Sequence, residues 1–217
     1  MKHCAMLLLF WLGCAPMAKA TDAVVLPRPE SAVVYRDRDP AALYYAAPPG
    51  RNAQFRRNLN AHIRANPRNA AALIQRAFLH HASGDIEEGD RDFIRVIEIT
   101  ADDPLLRRRA LWSLGWSAFN RDEPRQAMAF WQQAADTYDG RPGWLPYSMA
   151  VAAWTAGDEA LALDWYDAAV RSDPQWRQAE GVESRTLRWK PREREVVQWV
   201  FKAWSMRPAE PASAPAG

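Results

Sequence analysis

The sequence predicts an all-α protein: a short right-handed solenoid of about three helix pairs with flanking and capping helices. Apolar residues recur at three- and four-residue steps from Arg51 onward, as on one face of a helix. Turns recur at Gly84-Asp85, Asp122-Glu123 and Gly157-Asp158, which are 38 and 35 residues apart. Such a period is typical of repeat proteins, in which each helix pair buries its apolar face by stacking on the next pair.

Four positions around these turns agree in size from repeat to repeat. The side chain is small seven residues before each turn and five after it, aromatic nine after it, and small or β-branched twelve after it. In that order the columns are Ala77, Gly115 and Ala150; Gly89, Ala127 and Ala162; Phe93, Trp131 and Tyr166; and Val96, Ala134 and Ala169. Antiparallel helices approach to about 8 Å only where the side chains at their crossing are small. We therefore expect the first two columns to face each other, with the aromatic residue filling the space beside them.

The middle and third repeats carry the most specific part of the pattern. In the middle repeat these residues are Leu111, Leu114, Gly115, Ala118, Ala127 and Trp131; in the third they are Ala150, Gly157, Ala162, Tyr166 and the closing Asp173-Pro174. The arrangement resembles the tetratricopeptide repeat (TPR) family, of an exported bacterial type, over repeats 70–103, 108–141 and 143–176. Leu111 and Ala118 depart from the Trp and Tyr usual in that family. The resemblance implies a non-enzymatic adaptor or scaffold that binds a protein or peptide.

The segments outside the repeats have their own predictions. Residues 21–50 are rich in proline and are predicted to be poorly ordered, and residues 51–69 are predicted to form one flanking helix. Residues 177–206 are predicted to form capping helices, because a solenoid must cover its last open face. The Pro/Ala-rich tail 207–217 is predicted to be disordered.

The first 20 residues have the pattern of an export signal. Lys2 precedes an apolar run, and Ala18-Lys19-Ala20 offers small residues for cleavage after Ala20. The run is shorter than the ~20 residues that span a bilayer. We therefore expect a periplasmic protein. The alternative is an outer-membrane lipoprotein attached at Cys14, although Trp11 stands where such signals usually have Leu.

Removal of this signal changes the composition of the chain. Cys4 and Cys14 are its only cysteines, so the mature protein has no thiol and depends on its core for stability. Lys2 and Lys19 also leave, so 28 − 2 = 26 basic residues remain against 26 acidic ones. With no net positive charge, we expect no nucleic-acid partner and no membrane attachment apart from lipidation at Cys14.

The sequence presents no catalytic or metal-binding constellation. His80 and His81 are neighbours, and adjacent helical side chains point about 100° apart, so they do not easily share a metal. The acidic run from Asp85 to Asp92 lacks the Asx-rich loop with a central glycine that binds calcium, and Asp85 is expected to cap a helix. We expect no enzyme activity, no cofactor and no metal. The basic run 107–109 is expected to be a solvated face, with contact to phosphate or to an acidic partner as the alternative.

A second set of side chains lies on another face of the first helix of each pair, ten, six and three residues before each turn. We call this set the aromatic stripe: Ile74, Phe78, His81, Trp112, Trp116, Phe119, Tyr147, Val151 and Trp154, with Trp144 a turn earlier. In the TPR family this stripe lines the concave groove that receives ligands, so the resemblance implies a ligand groove here. The core face of the middle helix is already supplied by Leu111, Leu114 and Ala118. A helix that is apolar all round is either buried or faces an apolar partner.

Three interpretations of the aromatic stripe stay open in the sequence. The stripe is part of the core, or lines an open groove, or lines a groove filled by the chain's own N-terminal segment through Tyr35, Tyr44 and Tyr45. The stripe lacks the Lys, Asn and Arg of the charge clamps with which some TPR relatives bind a C-terminal carboxylate. An apolar or Pro-rich peptide of a cell-envelope protein is the favoured ligand. An envelope polysaccharide or peptidoglycan, stacking its sugars on the rings, is the alternative.

Overall fold

A computed structural model describes residues 26–42 and 52–207, and this part of the chain is helical without a β-strand. The helices are α1 Asn52–Ala65, α2 Ala70–Ser83, α3 Ile86–Ile99, α4 Pro104–Asn120, α5 Pro124–Asp136, α6 Leu145–Thr155, α7 Glu159–Ser172, α8 Ala179–Thr186 and α9 Pro191–Ser205, with a 3₁₀ helix Pro174–Arg177 before α8. The expected signal peptide, Tyr44, Tyr45 and the tail from residue 208 lie outside the described residues. No described helix combines the length and the apolar character needed to cross a membrane.

The helices associate as consecutive pairs. The closest associations are α2 with α3, α4 with α5, and α6 with α7, and the pairs are joined through α3 with α4 and α5 with α6. α1 packs on α2 at one end of this stack, and α9 packs on α6 and α7 at the other. The predicted all-α solenoid of three helix pairs with flanking helices is therefore confirmed.

The three turns within the pairs share one backbone conformation. Gly84, Asp122 and Gly157 have φ values of +86°, +66° and +82°, so each lies in the left-handed region. Asp122 is the only non-glycine residue with positive φ in the described part of the chain. This common geometry supports the repeat alignment, because a left-handed residue is a usual way to end a helix.

The repeat columns form the core between the paired helices. Leu114 is buried, and Pro174 is exposed and begins the 3₁₀ helix. All twelve column residues are buried as well: Ala77, Gly89, Phe93, Val96, Gly115, Ala127, Trp131, Ala134, Ala150, Ala162, Tyr166 and Ala169. A Cβ on Gly89 would lie 2.2 Å from Cδ2 of His81 and 2.9 Å from the carbonyl oxygen of Ala77, so Ala77 and Gly89 face each other as predicted. A Cβ on Gly115 would lie 2.1 Å from Nε1 of Trp131. In both pairs a ring packs directly against the glycine.

Asparagine and aspartate side chains cap several of the helices. Asn69, Asp103 and Asp158 accept hydrogen bonds from the backbone N–H groups of the first turns of α2, α4 and α7. The expectation that Asp85 caps α3 in the same way is wrong. Its side chain makes no capping bond and turns instead to Nδ1 of His80, 3.4 Å away.

Residues 26–42 form a segment that we call the strap. It contains neither a helix nor a strand, as its prolines predict, but tertiary hydrogen bonds fix it on the solenoid. The backbone N–H of Tyr35 donates to Oγ of Ser172 over 2.8 Å, and the Tyr35 ring is buried 6.1 Å from that of Trp165. Trp165 Nε1 donates to the carbonyl of Pro27 over 2.9 Å. The strap thus lies along α7, and it meets the aromatic stripe at Trp144, whose Nε1 donates to Asp39 over 3.0 Å.

The strap ends in a buried ion pair with the basic run 107–109. Nε of Arg108 donates to both carboxylate oxygens of Asp39, at 3.0 and 2.9 Å, and the Asp39 side chain is 0% exposed. Arg109 donates from Nε to the carbonyl of Ala41 over 3.2 Å, and Arg107 to the carbonyl of Ile97 over 2.6 Å. The prediction that this run is a solvated face is therefore wrong. These arginines hold the strap and the end of α3 instead, because buried guanidinium groups require acceptors.

Candidate functional site

The aromatic stripe lies on α2, α4 and α6, but four of its members have almost no exposed surface. Ile74 is 3% exposed, Trp144 4%, and Phe119 and Val151 0%. Ile74 belongs to the core between α2, α3 and α4, and Trp144 donates from Nε1 to Asp39 over 3.0 Å. The prediction that these four residues line a groove is wrong, because they pack in the core or against the strap.

Trp116 is the centre of a cluster of aromatic rings on α4. Its ring centroid lies 4.9 Å from that of Trp131, 5.8 Å from that of Phe119 and 6.3 Å from that of Trp112. The interplanar angles of 66°, 84° and 74° are those of edge-to-face contacts, which aromatic rings favour. The inner side of the stripe on α4 is therefore a packed extension of the core.

The outer side of the same rings is covered by the C-terminal part of the chain. Trp189, between α8 and α9, lies 5.1 Å from Trp116 and 5.3 Å from Tyr147, measured between ring centroids. Trp176 lies 5.1 Å from Tyr147 and 6.4 Å from Trp189. Burial here raises the pKa of Tyr147 above its usual range. The stripe is thus covered by its own chain where α4 meets α6, from the C-terminal side. Of the three tyrosines that could fill the groove, Tyr35 packs on Trp165 instead, and Tyr44 and Tyr45 lie outside the described residues.

The start of α9 fixes this cover to the end of α4. Glu193 accepts a 2.8 Å hydrogen bond from Nδ2 of Asn120 and a 2.9 Å bond from the backbone N–H of Lys190. Arg192 forms an ion pair with Asp122 at the left-handed turn, and its guanidinium lies 5.7 Å from the ring centroid of Phe119. No periodic signal marks these partners in the sequence, because they are about 70 residues apart.

Part of the stripe stays accessible on the first two helix pairs. Phe78 and Trp112 are half-buried, as are His81 on α2 and Trp154 on α6. The Phe78 ring packs on that of Phe93, 5.2 Å away between centroids. Nε1 of Trp112 is shielded from solvent and has no hydrogen-bond acceptor among the described residues. We call the half-buried surface around Trp112, where α4 adjoins α2, the open half of the stripe.

His81 does not act as a free polar group beside this open half. Its Nε2 lies 2.9 Å from Oδ1 of Asp90, whose other oxygen accepts from Ser117 Oγ over 2.9 Å and pairs with Arg121. Burial raises the pKa of Asp90, but the hydrogen bonds from His81 and Ser117 and the nearby positive charges outweigh it, so the net pKa lies below its usual value. This network ties the first helix pair to the second.

The described residues contain no cluster of three or more His, Cys, Asp or Glu side chains placed to hold a metal. One cavity, of about 490 Å³, lies between the α1–α2 and α3–α4 turns and is lined by residues such as Arg68 and Asp103. Another, of about 290 Å³, lies between the strap and α5 and α7. Neither cavity includes a residue of the aromatic stripe.

Comparison with known proteins supports the fold, whereas the candidate site rests on the contacts described above. No protein-family model matches the chain, and no curated protein matches it. Among solved structures it is similar to MamA, with a TM-score of 0.51 and 16% sequence identity, over 74% of this chain and 93% of that one. MamA is a TPR-like all-α solenoid. The chain is therefore a helical-repeat protein with a TPR-like fold.

Proposed function

We propose that this protein is a non-enzymatic scaffold that binds a segment of another protein on the open half of its aromatic stripe. The observation that carries the proposal is that Trp112 on α4 is only half-buried and holds an indole N–H with no acceptor among the described residues. Aromatic side chains that are packed on one side are typical anchors of protein interfaces, because little side-chain entropy is lost when a partner covers them.

The indole of Trp112 adds a polar feature to this surface. A donor that is shielded from water and lacks an acceptor costs about 1–3 kcal/mol, and Nε1 of Trp112 is in that state. A small rotation of the ring toward a peptide carbonyl would give the donor a hydrogen bond. An extended apolar or Pro-rich peptide offers such carbonyls together with apolar surface.

We place this activity in the periplasm as part of the same proposal. The support is the export-signal pattern of residues 1–20, which lie outside the described residues, and the absence of cysteine from the chain after Ala20. Both features are compatible with an envelope protein as partner. A shift in mass of the secreted protein to that of a chain starting at Thr21 would test the location, and retention of a lipid on Cys14 would contradict it.

The binding site is tested with apolar and Pro-rich peptides selected on the purified mature protein, with fluorescence anisotropy as the readout. Trp112→Ala should weaken binding about thirtyfold, the loss expected for a central aromatic anchor. Trp199→Ala is the matched control, because it removes an indole that is 48% exposed on α9, away from the stripe, and it should leave the affinity unchanged.

Thermal melting of both variants checks that the fold is retained. Equal affinity of the two variants for the selected peptide would contradict the proposal. If soluble muropeptides bind at the same residues and the selected peptides do not, the protein is a glycan-binding module instead.

A further inference from the structure

Positive charge is concentrated at the N-terminal end of the solenoid. Residues 40–84 contain six arginines and no Asp or Glu: Arg51, Arg56, Arg57, Arg64, Arg68 and Arg76. The chain after Ala20 has 26 basic and 26 acidic residues in all, so this concentration is not a consequence of overall charge. Five of the six fall on α1, α2 and the turn between them, and Arg51 lies outside the described residues.

Two of these arginines are neutralised within the fold. Arg76 forms two hydrogen bonds, of 2.7 and 2.6 Å, with the buried carboxylate of Asp92. Arg56 lies 3.7 Å from Asp85 and donates to Ser83 Oγ over 2.7 Å. Their charge is therefore directed into the protein and contributes little to its surface.

Three other arginines keep their full charge at the surface. The Arg57 guanidinium donates to the neutral amide of Gln54 over 2.6 Å, and that of Arg68 to the carbonyl of Ile99 over 3.3 Å; neither has an ion pair among the described residues. Arg64 forms no ion pair with any residue that the structure describes, and all three residues are exposed. We call Arg57 and Arg64, the two of them on α1, the basic face.

The geometry of α1 presents this face outward. Phe55, Leu59 and Ile63 pack toward α2, and Arg57 and Arg64, two helical turns apart, lie on the opposite side. α1 spans about 21 Å at 1.5 Å per residue and is the first described helix of the stack, so its outer side has no neighbouring helix there.

We propose that the basic face of α1 is a second interaction surface, which binds an acidic protein segment. Guanidinium groups suit carboxylates because their planar donors form paired hydrogen bonds with both oxygens. The surface lies apart from the open half of the stripe, so this inference goes beyond the proposed function and does not depend on it.

The charge distribution argues against another copy of this chain as the occupant in an end-to-end stack. The C-terminal end, residues 174–207, has eight basic and four acidic residues, so stacking would bring positive surfaces together. A membrane is also a poor fit, because none of the large exposed apolar side chains lies on α1, and helices that lie on membranes insert such side chains.

The experiment measures binding of fluorescein-labelled oligoglutamate to the purified mature protein at low and at physiological salt. Arg57→Gln/Arg64→Gln should weaken binding at least about fivefold, since exposed charge contacts are individually weak. The control is Arg91→Gln/Arg95→Gln, which removes the same charge from exposed arginines already paired with Glu88 and Glu98 on α3. It should change the affinity less than twofold. Trp112→Ala should leave this binding intact, even if the peptide groove proposal fails.

Several outcomes would overturn the inference. One is absence of oligoglutamate binding at low salt. Another is an equal loss in the two double variants, which would mean that only net charge matters. A third is tight binding to phosphatidylglycerol vesicles, lost in Arg57→Gln/Arg64→Gln, without binding to oligoglutamate, which would identify a lipid surface as the ligand.

Discussion

Replacement of Asp39 by alanine removes the acceptor at the centre of the strap. Its carboxylate accepts from Nε of Arg108 and, over 3.0 Å, from Nε1 of Trp144, while the backbone N–H of Ala41 donates to it over 2.9 Å. The side chains of Asp39 and Arg108 are 0% and 6% exposed. In Asp39→Ala a buried guanidinium therefore loses its counter-charge, and the indole loses its acceptor.

The expected loss is large compared with the stability of a domain. Breaking a buried ion pair by removing one partner costs about 3–5 kcal/mol, because an uncompensated charge stays in the core. Arg108 keeps hydrogen bonds to the carbonyls of Pro104 and Thr137 and its contact with the Tyr138 ring, so we expect about 3 kcal/mol. Since domains are stable by about 5–15 kcal/mol, this loss would move the unfolding transition clearly.

Urea denaturation followed by circular dichroism gives the free energy of unfolding, and hydrogen exchange reports whether residues 26–42 detach. The control is Arg28→Gln, which breaks the exposed pair of the strap with Asp164 and should cost less than about 1 kcal/mol. Asp39→Ala/Arg108→Met should regain part of the loss, because it removes the stranded charge. A loss below about 1 kcal/mol in Asp39→Ala would refute the reasoning.

Three further predictions concern packing and pH. Gly115→Ala should lower stability by about 2 kcal/mol in urea melts, since its Cβ would meet the buried Trp131 ring; a stabilised variant would contradict this contact. Trp189→Ala should cost about 2 kcal/mol and shift tryptophan emission to the red by exposing Trp116; an unchanged spectrum would show that Trp189 covers nothing. Asp90 has a lowered pKa in the folded protein. Its contribution to the free energy of unfolding is therefore present above its unfolded-state pKa of about 3.9 and is lost as pH falls through the folded-state value. In Asp90→Asn the free energy of unfolding should therefore fall less steeply as the pH is lowered. An unchanged dependence on pH would show that the Asp90 carboxylate does not stabilise the fold.

The repeat architecture could be predicted because its determinants are local. The small residues at Ala77 and Gly89, for example, are 12 residues apart and meet across one turn. The left-handed turns likewise fall at Gly84 and Gly157, where glycine signals the conformation. Within one helix pair, spacing in the sequence translates directly into contact in the structure.

The candidate site was predicted less well because its cover is distant in sequence. Trp189 belongs to no repeat, so nothing in its spacing relates it to Trp116, 73 residues earlier. Arg108 was assigned to the surface because charged residues are rarely buried, and its partner Asp39 lies in a proline-rich segment without periodicity. Helical spacing groups the residues of the stripe, but the tertiary contacts that leave only part of it exposed could not be derived from one helix at a time.

The central claim is that a partner binds the open half of the stripe while the C-terminal cover stays in place. Hydrogen exchange of the mature protein, measured by mass spectrometry with and without a selected peptide, tests it most directly. Binding at the open half should slow exchange in α2 and α4 and leave exchange in α9 unchanged. Faster exchange in α9, with new protection in α6, would contradict it by showing that the peptide displaces Trp189 and occupies the filled part of the stripe.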